Sequence, residues 1–282
     1  MLHAGLVLEG GGMRGVFTAG VLDALWDEDL LFEAVYGVSA GACHACSYLS
    51  GQRGRALRTS IEFLRDSRYM SFRSLLLTGD FFGADMVYNK VPNELVPYDY
   101  DAFLRSESRF FALLTNLESG GAEAHRILDL RRQMDVIRAS SSLPLLSRPV
   151  AIGGRLYLDG GVAEPIPLRR SIQDGNRKNL VVLTREWGYE KKPSNMTALR
   201  LVYGKYPAFL RAAEGRHWEY NASLALAKEE RAKGSAFLLA PEEKVVIGRF
   251  ERDRSRLLAL YRQGYALVSG QAGAIRAFFA PD

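Results

Sequence analysis

Cysteine and histidine are both scarce in this chain of 282 residues, with two of the first and four of the second. Cys43 and Cys46 share one Cys-His-Ala-Cys cluster. A four-ligand zinc site would therefore have to recruit distant histidines. Their setting among alanines and glycine predicts two small packing residues in a reducing compartment. No apolar run approaches the roughly 20 residues of a membrane span. The N-terminus lacks a basic region followed by an apolar one, so no signal peptide is expected, and a cytoplasmic protein follows. There is no internal repeat and no low-complexity tract. The stretch 186–194 is the most linker-like, but it is too short to divide two domains firmly.

What remains is an ordinary globular composition, 48% hydrophobic and 24% charged, with a net charge of +5. A mild positive charge permits attraction to an anionic surface and demands none. The apolar run 5–9 stops at Gly10-Gly11-Gly12, and 13–26 carries apolar residues at helical spacing. A second apolar run, 31–38, is followed by the small, helix-compatible stretch 40–50. Strand, glycine turn, helix, strand, turn, helix predicts a parallel, doubly wound sheet. Further strands are expected at 109–116, 124–130, 180–184 and 236–239, with a hairpin over 150–159 turned by Gly153-Gly154. Helix is expected over 130–138, over 195–232 with breaks near Gly204, Pro207 and Gly215, and over 249–279 as one or two helices.

Three short motifs carry chemistry. Gly37-Val38-Ser39-Ala40-Gly41 places a serine at a strand–helix turn, where flanking glycines permit tight approach and the hydroxyl meets free helix N–H groups. Gly10-Gly11-Gly12-Met13-Arg14-Gly15 also follows a strand and opens a helix, as a dinucleotide-binding loop does. The acid that such a site requires about 20 residues on is missing, and no Lys-Ser/Thr closes it as a phosphate loop. Backbone N–H groups there could instead face a developing oxyanion, with Arg14 pairing nearby or adding positive potential. A serine needs a group to take its proton. His125 falls in an expected strand and His217 in a helical stretch without a loop signature, while His3 and His44 have no motif around them. Asp159, at a strand end before Gly160-Gly161 and the rigid Glu164-Pro165-Ile166-Pro167, is the better candidate. Burial would raise its pKa and strengthen it as a base.

Together and in this order, the three motifs resemble the patatin-like phospholipase family, whose pattern is a glycine-rich oxyanion loop, a G-x-S-x-G elbow and a D-G-G/A motif. Ala139-Ser140 and Pro144 match a further family element. The resemblance spans residues 5 to about 184. It implies a three-layer α/β/α sandwich with a mainly parallel central sheet, formed by a catalytic core over 1–185. Residues 186–282 are then a mainly helical extension packed on that core, and 190–282 carry no family motif. It implies acyl-ester hydrolysis by a Ser39–Asp159 dyad, without histidine, metal or cofactor. Backbone N–H groups of Gly11, Gly12 and Met13 would hold the oxyanion, and Arg14 would shape the loop. The substrate would be a lipid or small ester, phospholipid or lysophospholipid in type, and no nucleic-acid partner is implied. One departure is visible: Pro165-Ile166-Pro167 stands where many members have Asn-x-Pro, which puts the support of the Asp159 loop in question.

Two segments bear on access. Residues 53–73 carry six arginines, as a solvated helix face or as a basic rim meeting anionic headgroups at the inner membrane surface. Residues 72–88 are greasy, as core packing or as an acyl-chain wall or lid. Two other functions stay open at this level. One is a dinucleotide-binding oxidoreductase resting on Gly10–Gly15, and the other is a catalytically silent protein that binds membrane surfaces. Oligomeric state is open as well.

Overall fold

The first apolar run is a strand, β1 (Leu2–Leu8), in the middle of an eight-stranded sheet. Ala4, Leu6 and Leu8 enter the main core, while Val7 enters a second cluster with Leu168, Val181 and Tyr220. This period-two division marks a strand covered on both faces, which explains its nearly continuous apolar sequence. The computed structural model describes residues 1–280; Pro281 and Asp282, the end of the 186–282 extension, lie outside the described residues.

From β1 the chain makes a tight 3₁₀ turn at Gly12–Gly15 and enters α1 (Val16–Asp27). It then forms β2 (Phe32–Val38) and α2 (Ala40–Leu49). Short helices α3 (Arg55–Ile61) and α4 (Phe72–Thr78), a π-helical segment over Met86–Leu95 and α5 (Tyr100–Arg105) lead to β3 (Arg109–Asn116). Next come β4 (Ala122–Ile127), α6 (Met134–Ser140), β5 (Val150–Ile152), β6 (Arg155–Asp159), α7 (Leu168–Gln173) and β7 (Asn179–Val182). The C-terminal third forms α8 (Thr197–Tyr203), α9 (Pro207–Ala232), β8 (Ala236–Leu239) and α10 (Arg254–Phe279). The strand order is β5-β6-β3-β2-β1-β7-β8, with β4 paired to β3 off this path. The run from β3 to β8 is parallel, and β4, β5 and β6 are antiparallel to their neighbours. Helices α1, α2 and α10 cover one face, and α7 and α9 cover the other, giving the three-layer α/β/α fold.

The register of β3 positions the site. β2 pairs with β3 as far as Val38 opposite Leu113. β6 pairs with β3 starting at Asp159 opposite Leu114. Because β4 occupies the other edge of the same residues, β2 and β6 lie on one edge of β3 and meet end to end. Ser39 and Asp159, more than a hundred residues apart in sequence, are thus the residues at which two strands converge.

Some expected boundaries move. Gly215 does not break the helix: α9 runs through it for 26 residues, because one interior glycine costs only about 1 kcal/mol relative to alanine. The last helix is a single one. Asp253 caps it by accepting from the Ser255 and Arg256 N–H groups, which leaves 249–253 as a loop. The strand expected at 124–130 lies at 122–127, where β4 forms a hairpin with β3. The C-terminal extension is interleaved with the rest. β8 extends the sheet beside β7, and α10 crosses α1 so closely that a Cβ on Gly20 would lie 2.0 Å from the Tyr261 carbonyl.

Candidate active site

Ser39 leaves β2 with φ 55° and ψ −122°, a conformation that costs a non-glycine residue of order 1–3 kcal/mol and persists only where the surroundings hold it. The flanking glycines make room. A Cβ on Gly41 would lie 2.6 Å from the Leu8 carbonyl oxygen, and one on Gly37 would lie 2.6 Å from the Ala42 Cα. Ser140 secures the turn from the far side. The Ser39 N–H donates to Ser140 Oγ at 3.0 Å, and that hydroxyl donates to the Leu113 carbonyl at 2.8 Å. One side chain on α6 thereby ties the serine turn to β3.

Asp159 is buried, with 2% of its surface exposed. Its Oδ1 accepts the Gly161 N–H at 2.8 Å, whereas its Oδ2 is buried without a hydrogen-bond partner among the described residues. Burial raises its pKa above the ordinary carboxylate value; the Arg216 guanidinium, then the Ser39 hydroxyl and the Gly161 N–H, hold it partly down. Its loop rests on groups other than an asparagine. Thr115 Oγ1 donates to the Asp159 carbonyl at 2.9 Å and accepts the Ala163 N–H at 3.2 Å. Arg216 on α9 donates to the Gly161 carbonyl, and Gly160 lies flat against the Leu113 carbonyl.

The Gly10–Gly15 loop passes directly over the serine: a Cβ on Gly10 would lie 2.9 Å from Ser39 Cβ. Thr184, just beyond β7, donates its hydroxyl to the Gly10 carbonyl at 3.0 Å. Glu9 braces the same corner. Its carboxylate accepts the Thr184 N–H at 2.6 Å and the Tyr220 hydroxyl at 2.9 Å, and burial raises its pKa. The Met13 N–H donates to the Arg249 carbonyl at 3.1 Å, and the Arg14 N–H to the Gly11 carbonyl. The Gly10, Gly11 and Gly12 N–H groups have no acceptor among the described residues, while the Met13 N–H is engaged elsewhere. The Arg14 side chain forms no ion pair among the described residues, and its Nε is buried without a partner. Gly15 packs against Ala40 and His44.

Two cavities meet at Ser39. The first, about 120 Å³, is walled largely by apolar and aromatic side chains, including Met13, Phe82, Val87, Tyr88, Val91 and Leu143. The second, about 30 Å³, is polar and lies between the glycine loop, Asp159 and the C-terminal region, with Arg14, Lys191, Arg216 and Arg249 around it. The greasy 72–88 stretch is split between uses. Phe81 and Met86 are core and Phe82, Val87 and Tyr88 line the first cavity, while Phe72, Leu76 and Leu77 on α4 are 70%, 86% and 71% exposed. The arginines of 53–73 divide similarly. Arg53, Arg58 and Arg68 pair with acids, and Arg55 is buried over the Tyr98 ring.

Of the four histidines, His44 alone lines either cavity, and burial lowers its pKa to about 4. His125 faces Glu123 in β4, His217 leans on the Glu214 carbonyl in α9, and His3 pairs with Glu33 at the surface. Cys43 contacts the Ser141 hydroxyl at 3.2 Å beside the first cavity, and Cys46 is buried. Among the described residues, no group of three or more metal-ligating side chains is placed to hold an ion, and no helix is long and apolar enough to cross a membrane.

Comparison with known proteins identifies the family. The family model described as patatin-like phospholipase matches residues 6–171, which include the glycine loop, Ser39 and Asp159. The chain belongs to the patatin-like phospholipase family. As a member, it carries a second match outside that region, to a domain of unknown function at residues 206–280. It is 29% identical over 182 residues to the uncharacterized protein YjjU of Escherichia coli K12, covering 64% of this chain and 51% of that one. It is 28% identical over 192 residues to Lysophospholipase NTE1 of Cryptococcus neoformans, covering 63% of this chain and 11% of that one. The chain thus spans about half the length of the first relative and a ninth of the second. Among solved structures it is similar to VipD from Legionella pneumophila, with a TM-score of 0.48 and 13% identity over 97% of this chain and 67% of that one. Sequence reasoning missed Glu9, Thr115, Thr184, Lys191, Arg216 and Arg249 around the site. Only Glu9 carried a signal, as an acid closing an apolar strand.

Proposed function

We propose that the protein is a lipid acyl-ester hydrolase of phospholipid or lysophospholipid type that works through a Ser39–Asp159 dyad. The observation that carries this is the buried, unpartnered Oδ2 of Asp159 beside the serine turn. A buried carboxylate oxygen without a donor is costly, and the Ser39 hydroxyl is the group at hand to supply one. The acyl chain lies in the apolar cavity, with its carbonyl over Ser39. As Ser39 Oγ attacks, its proton passes to Asp159, whose raised pKa makes it a stronger base than an exposed carboxylate; such assistance contributes about 10²–10⁴-fold. The Gly11 and Gly12 N–H groups receive the oxyanion, a donor there being worth about 10²–10³ in rate. Asp159 then returns the proton to the departing alcohol. In the second half-reaction it takes a proton from water, which opens the acyl-enzyme.

The test is hydrolysis of a short p-nitrophenyl ester by folded variants. Ser39→Ala and Asp159→Asn should each lower kcat by about 10³-fold or more. Substantial activity in Ser39→Ala would sink the reading.

A further inference from the structure

The polar cavity beside Ser39 has an unbalanced charge. Arg14 comes from the glycine loop, Lys191 from the segment before α8, Arg216 from α9 and Arg249 from the loop before α10. Four cations thus face two carboxylates, Glu9 and Asp159. Neither carboxylate neutralises them by contact: Glu9 spends its oxygens on the Thr184 N–H and the Tyr220 hydroxyl, and Asp159 Oδ1 is held by Gly161. No ion pair within 4 Å engages any of the four cations among the described residues, and Arg14 Nε is buried without a partner. Burial, together with Arg216 and Arg249, pushes the Lys191 pKa down to about 7, as expected where positive charge lacks a counterion.

We propose that this cavity is a phosphate subsite, in which Arg14, Lys191, Arg216 and Arg249 bind the headgroup phosphate of a lipid ester whose acyl chain fills the apolar cavity. The subsite rests on the hydrolase reading above and specifies its substrate class: an ester carrying a phosphate close to the scissile bond. Ser39 lines both cavities, so an acyl carbonyl at the serine leaves the glycerol side of the substrate pointing at the cations. The small volume, about 30 Å³, suits a compact anion, and guanidinium forks match phosphate oxygens in geometry and charge. Three of the four cations come from residues beyond 185, so the C-terminal extension completes the site instead of merely covering the core.

The experiment compares oleoyl-lysophosphatidic acid with monooleoylglycerol in neutral-detergent micelles, alongside calorimetric titration of the Ser39→Ala protein with glycerol 3-phosphate and inorganic phosphate. Lys191 and Arg249 are the residues to vary, since Arg216 also holds the Asp159 loop. Wild-type kcat/KM should favour the phosphate ester by about tenfold or more. Lys191→Met and Arg249→Met should each erode that ratio several-fold, and Lys191→Arg should retain it. A ratio near one in the wild type, or a ratio unmoved in both Met variants, overturns the subsite. Phosphate binding to Ser39→Ala with a lipid ratio near one would assign the cavity to free phosphate and overturn the headgroup role. Phosphate binding without hydrolysis of either lipid would strike the hydrolase reading and support the anion site alone.

Discussion

At the scale of single residues, Asp159 concentrates the chemistry and its cost. Its pKa is raised by burial, so the ionised form needed to take the Ser39 proton is present only above that raised value. The acid limb of kcat/KM should therefore fall at a pH above the ordinary carboxylate range of about 4. A limb at or below 4 would mean that a different group titrates. The same shift bears on stability. A carboxylate whose folded pKa is raised stabilises the fold below its unfolded pKa, and that contribution is lost as pH rises through the folded value. At neutral pH the charge is thus a burden, and Asp159→Asn should raise the melting temperature by about 2–4 °C, equivalent to roughly 1 kcal/mol. The gain should shrink as pH falls toward 4. Calorimetry at two pH values checks this, and an unchanged or lower melting temperature at pH 7 would contradict it.

At the scale of elements, the site exists because β2 and β6 end against each other on one edge of β3. Ser140 fastens that joint by accepting from Ser39 N–H and donating to the Leu113 carbonyl. Ser140→Ala removes both bonds and leaves the Ser39 N–H without its acceptor, at about 1–3 kcal/mol. It should lower kcat by about tenfold or more with a smaller effect on KM, because the serine turn loses its anchor; kinetics on the p-nitrophenyl ester will show whether it does. The serine turn, the glycine loop and the Asp-Gly-Gly loop were legible in the sequence because each is a local feature, a strand ending at a turn whose residue types are dictated by close approach. The pairing of β6 beyond the end of β2 was not, since it depends on β3 offering one edge to two strands. Nor were Arg216 and Arg249 at the site, because α9 and the loop before α10 reach it only through long-range packing. Gly215 misled for a related reason: local propensity favoured a break, and packing of α9 over the sheet outweighed it.

At the scale of the whole molecule, apolar and cationic side chains are set side by side twice, at Ser39 and on α4. An apolar cavity and a cationic one share Ser39, and α4 presents Phe72, Leu76 and Leu77 to solvent close to Arg73. Exposed apolar side chains beside cations suit contact with an anionic lipid surface. Co-sedimentation with vesicles containing phosphatidylserine should fall several-fold in Leu76→Asp/Leu77→Asp and on raising salt from about 0.1 to 0.5 M. Binding that ignores both changes would place lipid contact elsewhere. The fold class was legible from the alternation of apolar runs and helical spacing. The interleaving of the C-terminal region was not, because β8 is a four-residue strand whose place beside β7 leaves no mark in its own sequence.

The dyad is tested most directly by reacting the intact protein with a fluorophosphonate probe and mapping the adduct by mass spectrometry. A Ser39 nucleophile activated by Asp159 predicts one adduct per chain on the peptide containing Ser39, none in Ser39→Ala, and labelling slowed by about 10²-fold or more in Asp159→Asn. Labelling of another serine, or ester hydrolysis that persists while Ser39 stays unlabelled, would contradict it.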